Sequence, residues 1–298
     1  MQKILFLILM VINMDAIELK KYEKELNLLS EGERRVIVNK GTEAPFSGKL
    51  LENKESGVYV CKVCKTPLFS SSAKFNSGTG WPSFDDMIDK NVKELPDADG
   101  RRSEIVCATC GAHLGHVFYG EGFTNKSTRH CVNSISLDFY KKAYFAGGCF
   151  WGVEYYLEQL DGVLEVTSGY MGGESKNPTY QEVCYNNTGH IEAVEVLYDS
   201  SKISYEELAK VFFEIHDPTQ TDGQGPDIGS QYLSAIFTSD VKEREVIKAL
   251  IEKLEANGYK VATKVLDDAV FYKAENYHQN YYKNKGTKPY CHGYTKRF

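Results

Sequence analysis

The residues in this chain best able to do chemistry are its eight cysteines, and their spacing sorts them. Cys61-Lys-Val-Cys64 and Cys107-Ala-Thr-Cys110 form two C-x-x-C pairs with 42 residues between them. Two such knuckles bring four thiolates around one tetrahedral Zn²⁺ and leave no coordination position open for reaction. The metal expected here is therefore structural, with disulfides as the alternative should the chain be exported. Cys131, Cys149, Cys184 and Cys291 pair with nothing by local spacing.

Around Cys131 runs Arg129-His-Cys-Val-Asn-Ser-Ile-Ser-Leu-Asp-Phe139. Its alternation predicts a β-strand with Arg129, Cys131, Asn133, Ile135, Leu137 and Phe139 on one face. The apolar members imply that protein covers this face, which makes an arginine and an amide at its head costly unless they are used. A guanidinium beside a thiol favours the nucleophilic thiolate at neutral pH. His113 and His116 follow directly on the second cysteine pair, so the metal would hold two imidazoles near the thiol. A catalytic thiol and a partly buried structural thiol both fit these residues.

Gly147-Gly-Cys-Phe-Trp-Gly152 presents a thiol differently. Lys142–Ala146 reads as a strand, the two glycines as a tight turn, and Cys149–Leu160 as a helix ended by Gly162. Phe150, Val153, Leu157 and Leu160 keep the helical spacing. Cys149 then falls in the first turn, where free N–H groups and the helix dipole stabilise a thiolate. The glycines let the backbone turn sharply and keep side chains off the sulfur. Glu192 stands where the polar segment 177–192 becomes the strand 193–198, a place for a carboxylate at a cleft. Ser204 and Glu207 form a capping box ahead of the helix 204–215, whose apolar stripe is Leu208, Val211, Phe212 and Ile215. Cys291 lies in Lys288-Pro-Tyr-Cys-His-Gly293, a segment whose proline and glycine predict mobility.

Larger motifs carry a family likeness. Gly78-Thr-Gly-Trp-Pro-Ser-Phe84, both C-x-x-C pairs, His113-Leu-Gly-His-Val-Phe118 and Arg129–Leu137 together resemble methionine sulfoxide reductase type B, over roughly residues 19–140. The resemblance implies Cys131 as nucleophile, His113, His116, Arg129 and Asn133 around the substrate, and Trp81 against the substrate methyl. It implies a structural zinc on Cys61, Cys64, Cys107 and Cys110. Many type B members have a resolving cysteine just before the tryptophan, where this chain has Ser77-Gly78-Thr79-Gly80. Oxidised Cys131 must then be reduced by an external thiol or by a cysteine from elsewhere.

The segment 143–298 resembles methionine sulfoxide reductase type A through GCFWG, Asn177–Cys184, Thr188–Val196, His216–Gln220 and Gly223–Tyr232. This likeness implies Cys149 as nucleophile, with Phe150 and Trp151 as the wall that holds the methyl group. Glu192 would give a proton to the sulfoxide oxygen, with Tyr180, Asp227 and Tyr232 as its hydrogen-bonding neighbours. A carboxylic acid that donates at neutral pH needs a raised pKa, which burial supplies. Cys291 would be the resolving thiol and Cys184 a structural one. Together the halves imply a bifunctional enzyme that reduces R sulfoxide in the first domain and S sulfoxide in the second, through a sulfenic acid. Substrates would be oxidised proteins or free methionine sulfoxide. The reductant would be thioredoxin or a similar dithiol, and no organic cofactor is expected. One alternative makes the first half a zinc-stapled binding module, with only the second half catalytic. Another makes the second half a peroxide- or disulfide-reducing thiol enzyme, against which stand the single cysteine at Cys149 and its apolar Phe–Trp wall.

The elements that must position these residues follow from length and charge. A chain of 298 residues suits two domains at about 100–200 residues each. Residues 1–140 carry 18 basic and 18 acidic side chains, and residues 141–298 carry 17 and 23. Neither half has the basic excess of a nucleic-acid binder. Met1–Ile12 is an apolar run too short for the roughly 20 residues of a membrane span, so no stable membrane insertion is expected. It has the length of a signal-peptide core, and residues 1–16 are the candidate leader for export to the periplasm or cell envelope, with the cytoplasm as alternative. The expected fold is α+β in two domains. Residues 17–140 make a mostly-β, zinc-stapled domain of two antiparallel sheets, and residues 143–298 an α/β domain with a mixed sheet and packed helices.

Overall fold

The computed structural model describes residues 19–97, 100–186 and 188–298, so the candidate leader at residues 1–16 lies outside the described residues. The chain divides into two compact units, Met1–Tyr140 and Lys141–Phe298.

The first unit begins with helices α1 (Glu23–Asn27) and α2 (Glu31–Ile37). Ser30 caps α2 with a complete capping box: its hydroxyl accepts from Glu33 N at 3.3 Å, and the Glu33 carboxylate accepts from Ser30 N at 2.8 Å. Strands β1 (Gly57–Cys61) and β2 (Pro67–Ser70) form an antiparallel hairpin that also pairs with β9 (Leu137–Gly147). The second sheet holds β3 (Lys74–Phe75), β4 (Ser83–Phe84), β5 (Val92–Pro96), β6 (Ser103–Cys107), β7 (His113–Tyr119) and β8 (Thr128–Val132). Its order is β3-β4-β8-β7-β6-β5, antiparallel throughout. Phe69 of the hairpin stacks on Phe84 of the second sheet at 4.4 Å, and Tyr59 meets the same ring edge-on at 4.9 Å. These fully buried rings join the two sheets into one core.

The strand expected to run from Arg129 to Phe139 is interrupted. β8 ends at Val132, residues Ser134–Ser136 form one 3₁₀ turn, and β9 starts afresh at Leu137. Ser136 N donates to the Asn133 carbonyl at 3.0 Å, and the Ser134 hydroxyl accepts from Leu50 N at 2.9 Å. Polar groups satisfied outside the sheet draw the backbone off it, although the apolar alternation continues across the break.

In the second unit the sheet order is β15-β14-β9-β11-β10-β16, with β10 (Val163–Met171), β11 (Ile191–Tyr198), β14 (Ser234–Phe237), β15 (Lys264–Leu266) and β16 (Tyr272–Lys273). β14 and β15 are parallel and the other neighbours antiparallel, so the sheet is mixed. The ribbon β12 (Gly223–Gln224) and β13 (Asp227–Ile228) stands apart from it. Helices α3 (Phe150–Leu157), α4 (Tyr180–Tyr185), α5 (Tyr205–Ile215), α6 (Val241–Ala256) and α7 (Tyr281–Lys285) complete the unit. The Ser204–Glu207 capping box starts α5 as the sequence predicts, and Leu208, Phe212 and Ile215 are buried against Phe145, Phe150 and Ile236.

The segment around Cys291 differs from the mobile tail expected of it. Gly293 N donates to the Ile215 carbonyl at 3.2 Å and Thr295 N to the Glu214 carbonyl at 2.7 Å. Arg297 adds bonds to the Glu214 carboxylate at 3.1 Å and the His216 carbonyl at 2.9 Å, and Phe298 packs on the core. Proline and glycine here shape a docked strap along the end of α5.

Candidate active sites

Each C-x-x-C pair makes the corner of a hairpin, β1 to β2 and β6 to β7. Both corners close alike: Lys65 N donates to the Cys61 carbonyl at 2.9 Å, and Gly111 N to the Cys107 carbonyl at 2.8 Å. Lys65 and Gly111 both take positive φ, 60° and 75°. All four sulfurs lie within 4.8 Å of one another, with Cys61–Cys110 at 3.6 Å and Cys64–Cys107 at 3.5 Å. Four sulfurs bound at about 2.3 Å to one tetrahedral ion stand roughly 3.8 Å apart, so the set fits a metal and offers it no open position. A metal here would tie the β1–β2 hairpin to the β6–β7 hairpin.

Cys131 sits in β8, in register with Ser83 of β4 and His116 of β7. Arg129 is buried beside it, but its guanidinium is held by Glu121 through two bonds of 2.7 and 3.0 Å and lies 4.4 Å over the Phe118 ring. Burial pushes the Cys131 thiol above its ordinary value, and Arg129 with the Thr79 hydroxyl offsets this only in part. The lowering expected from Arg129 is not reached, because desolvation is the larger effect and Glu121 shares the positive charge. His116 Nε2 meets the Asp97 carboxylate at 2.9 Å. His113 Nδ1 meets Glu104 at 2.7 Å, while its buried Nε2 has no partner. The two imidazole rings are 5.8 Å apart.

Trp81 is anchored by a loop with no motif of its own. The indole N–H donates to the Glu43 carbonyl at 3.0 Å, and Asn133 Oδ1 accepts from Glu43 N at 2.9 Å. Asn133 Nδ2 donates to the Leu114 carbonyl at 3.0 Å, so its amide clamps this loop to the sheet. A Cβ on Gly80 would stand 2.8 Å from Pro45, which is how closely the loop lies on the turn ahead of Trp81. Glu43 and Glu121 are isolated acids in polar loops, and no spacing marks them. Thr79, in that same turn, hydrogen-bonds the Cys131 sulfur, and its hydroxyl is 2.8 Å from Ser77 Oγ.

Cys149 is the N-cap of α3 rather than a member of its first turn. Gly148 has φ +91°, and a Cβ there would lie 2.3 Å from Gln224. A Cβ on Gly152 would lie 2.1 Å from the His292 ring. The glycines of this motif therefore admit two neighbours besides freeing the sulfur. Gln224 is held in place by a mutual amide pair with Asp217, at 3.0 and 3.1 Å. His216 before it is structural: Nδ1 donates to the Phe212 carbonyl at 2.7 Å and Nε2 accepts from the Ser234 hydroxyl at 2.8 Å. Burial lowers its pKa to about 3 and keeps it neutral.

Glu192 lies inside β11, 1% exposed, and accepts from Phe150 N at 3.0 Å. Burial raises its carboxyl to about 8 despite that bond, with the charges of Asp227 and Cys291 adding to the rise. Cys149, Asp227 and Cys291 have their ligand atoms within 4.8 Å of one another. The Cys149 thiol is pushed far up by Cys291 beside it, by burial and by Glu192, against a smaller favourable contribution from Trp151 N–H. Cys291 is brought down to about 6, first by Cys149 and, against burial, by His292. The helix start therefore does not by itself ionise Cys149.

Phe150 is buried at 1% exposure, and Trp151 stacks on Tyr281 at 3.5 Å and 1°. The Trp151 indole N–H donates to His278 Nδ1 at 3.1 Å, and the Tyr180 ring lies 4.5 Å from His278. Glu275 accepts from Tyr180 N at 2.9 Å and from the Tyr170 hydroxyl at 3.0 Å. Burial first, then Glu192, pushes the Tyr180 and Tyr232 hydroxyls above their ordinary value, so both stay protonated. Cys184 hydrogen-bonds both hydroxyls. Asp227 Oδ1 is 3.4 Å from the Tyr290 hydroxyl, and its buried Oδ2 has no partner. Glu154, raised to about 7 by burial, accepts from Asn280 N at 3.0 Å and so holds Tyr281 in its stack. Glu275, His278 and Tyr281 went unread in the sequence, although three tyrosines and a histidine within 277–282 are the signal for them.

Two measurements check this geometry. Infrared spectra of wild type minus Glu192→Gln should show a protonated-carboxyl band at neutral pH that disappears as pH rises through about 8. A carboxylate already ionised at neutral pH would show that burial does not control this group. For the first unit, Thr79→Cys puts a thiol where a hydroxyl already reaches the Cys131 sulfur. After oxidation with one equivalent of hydrogen peroxide, mass spectrometry should find it joined to Cys131 by a disulfide; two free cysteines would refute the contact.

Residues 29–141 match the family model described as the SelR domain. Residues 141–297, more than half of the chain, match the model described as peptide methionine sulfoxide reductase. The chain is 51% identical over 152 residues to the peptide methionine sulfoxide reductase MsrA of Natronomonas pharaonis, which covers 50% of this chain and 85% of the relative. It is 47% identical over 150 residues to that of Nautilia profundicola, covering 50% and 87%. Among solved structures, methionine sulfoxide reductase A of Corynebacterium diphtheriae is 36% identical, with a TM-score of 0.46 over 49% of this chain and 76% of that one. No described helix is long and apolar enough to cross a membrane. A SelR domain followed by a reductase domain, the first around a half-buried thiol and the second around a buried one, places this chain in the peptide methionine sulfoxide reductase family.

Proposed function

We propose that the second unit reduces the S epimer of methionine sulfoxide and the first unit the R epimer, in keeping with the division of labour between the two reductase types. The observation that carries the reading for the second unit is Glu192, a buried carboxyl raised to about 8 beside the Cys149 thiol. The substrate methyl rests against Phe150 and Trp151, and the sulfoxide oxygen faces Glu192, Tyr180 and Tyr232. Cys149 attacks the sulfur as Glu192 protonates the oxygen. The oxygen passes to Cys149 as sulfenic acid and methionine leaves, so the thiol proton of Cys149 replaces the one that Glu192 gave. Cys291 then condenses with the sulfenic acid, releasing water, and a dithiol such as thioredoxin reduces the disulfide by exchange.

In the first unit Cys131 attacks, with Arg129, His113 and His116 around the oxygen and Trp81 against the methyl. Every other cysteine of that unit belongs to the metal set, so an external thiol regenerates Cys131. The metal is zinc by its four-thiolate, tetrahedral donor set. It holds the hairpins in place and takes no part in the reaction.

Resolved R and S sulfoxides of a blocked methionine, with dithiothreitol as reductant, test the assignment. Cys131→Ser should lose only R turnover and Cys149→Ser only S turnover. Retention of R turnover in Cys131→Ser would leave the first unit as a binding module, and wild type inert toward both epimers would overturn the whole reading. Elemental analysis should find one zinc per chain, lost in Cys64→Ser together with a drop in melting temperature, because a structural site returns its binding energy as folding energy. A metal-free wild type that melts unchanged would exclude zinc.

A further inference from the structure

Cys291 has an imidazole on it. The Cys291 sulfur lies 3.2 Å from His292 Nδ1, while His292 Nε2 lies 2.7 Å from the Gly147 carbonyl. A carbonyl only accepts, so Nε2 carries a hydrogen and donates it there. Neutral His292 therefore turns its one lone pair, on Nδ1, toward the Cys291 sulfur. The ring is 7% exposed and lies where Gly152 has no side chain, since a Cβ there would come within 2.1 Å of Nδ1. The next residue is fixed too, by Gly293 N donating to the Ile215 carbonyl at 3.2 Å. The thiol and its imidazole are thus held beside Cys149 rather than carried in on a loose tail.

We propose that His292 is the general base of the resolving step, taking the proton of Cys291 and aiming the resulting thiolate at oxidised Cys149. The proposal rests on Cys291 being the resolving thiol, as argued above. In the step, the Cys291 S–H proton moves to His292 Nδ1. The thiolate electron pair forms the Cys291–Cys149 bond, and the S–O bond of the sulfenic acid breaks. The departing hydroxide takes the proton from the imidazolium and leaves as water. Cys149 is reduced from sulfenic acid and Cys291 oxidised from thiol, both to the level of a disulfide, so no further redox partner is needed. The lowering of Cys291 by the Cys149 thiol is lost once Cys149 carries the sulfenic oxygen, which leaves His292 to draw the proton.

Other titratable groups close to the pair are Cys149, Asp227, Glu192, Tyr282, Tyr290 and His216. His216 is held neutral by burial, and both tyrosines are pushed up by it, so none of the three supplies a base at neutral pH. Glu192 belongs to the preceding step, which methionine release reads separately.

The test is a single turnover of the full chain with S sulfoxide, following methionine release and the Cys149–Cys291 disulfide side by side in wild type, His292→Gln and His292→Asn. Either amide can still donate to the Gly147 carbonyl and cannot accept a proton. At neutral pH the disulfide should form about a hundredfold more slowly in the variants, the lower end of what a general base contributes. The gap should close as pH rises and Cys291 ionises unaided. A loss that stays constant with pH would mark His292 as a structural prop only, and equal rates at all pH values would remove it from the step. Wild type that releases methionine without forming this disulfide would instead remove Cys291 as the resolving thiol, a different failure.

Discussion

The second unit is organised around one contact, the bond from Phe150 N to the Glu192 carboxylate. It ties the start of α3 to the middle of β11 and places an acid under the helix terminus. The helix gives its first N–H to that acid, so the terminus supports the acid at least as much as the thiol. Burial then decides the protonation states. Glu192 keeps its proton near neutrality, and Cys149 keeps its own. Asp217 and Gln224, the amide pair beside Gly148, and the His216 network behind it preserve the turn that makes the contact possible.

The first unit places a half-buried thiol on a strand, without a helix. Cys131 depends on Arg129, and Arg129 depends on Glu121, so its local charge is set by an ion pair at the edge of the site. Both histidines are likewise paired with carboxylates, His113 with Glu104 and His116 with Asp97. The two units therefore set up their thiols by different physics, one by desolvation around a neutral acid and the other by the Arg129–Glu121 ion pair beside the sulfur.

Much of this was legible from residue types and spacing. The two C-x-x-C corners, the glycine turn before α3, the capping box of α5 and the mixed character of the second sheet all follow from local rules that act within a few residues. The break after Val132 was not legible, because Asn133 and Ser134 are satisfied by Glu43 and Leu50 about ninety residues away. The docked strap was missed for a similar reason, since its bonds go to backbone at the end of α5. Glu43, Glu121, Glu154 and Glu275 act as acceptors for distant N–H groups or a guanidinium, a role that any surface acid resembles in one dimension. Cys149 stands at the helix start that the spacing predicts, but its charge does not follow from that place: the dipole is a local signal, whereas desolvation depends on everything packed around it.

The hydroxyl cluster of Ser77, Thr79 and Ser83 around Cys131 has an ecological side. On the proposed assignment, the second unit stops in a closed disulfide whenever reductant runs short, and that disulfide shields both sulfurs. The first unit has hydroxyls where a resolving thiol would stand, so it stops as an open sulfenic acid, one step from irreversible sulfinic acid if peroxide persists. Starvation for dithiols would then not weaken the two halves equally. It would skew the handedness of the damage left behind, with R sulfoxide accumulating first and staying longest after reductant returns.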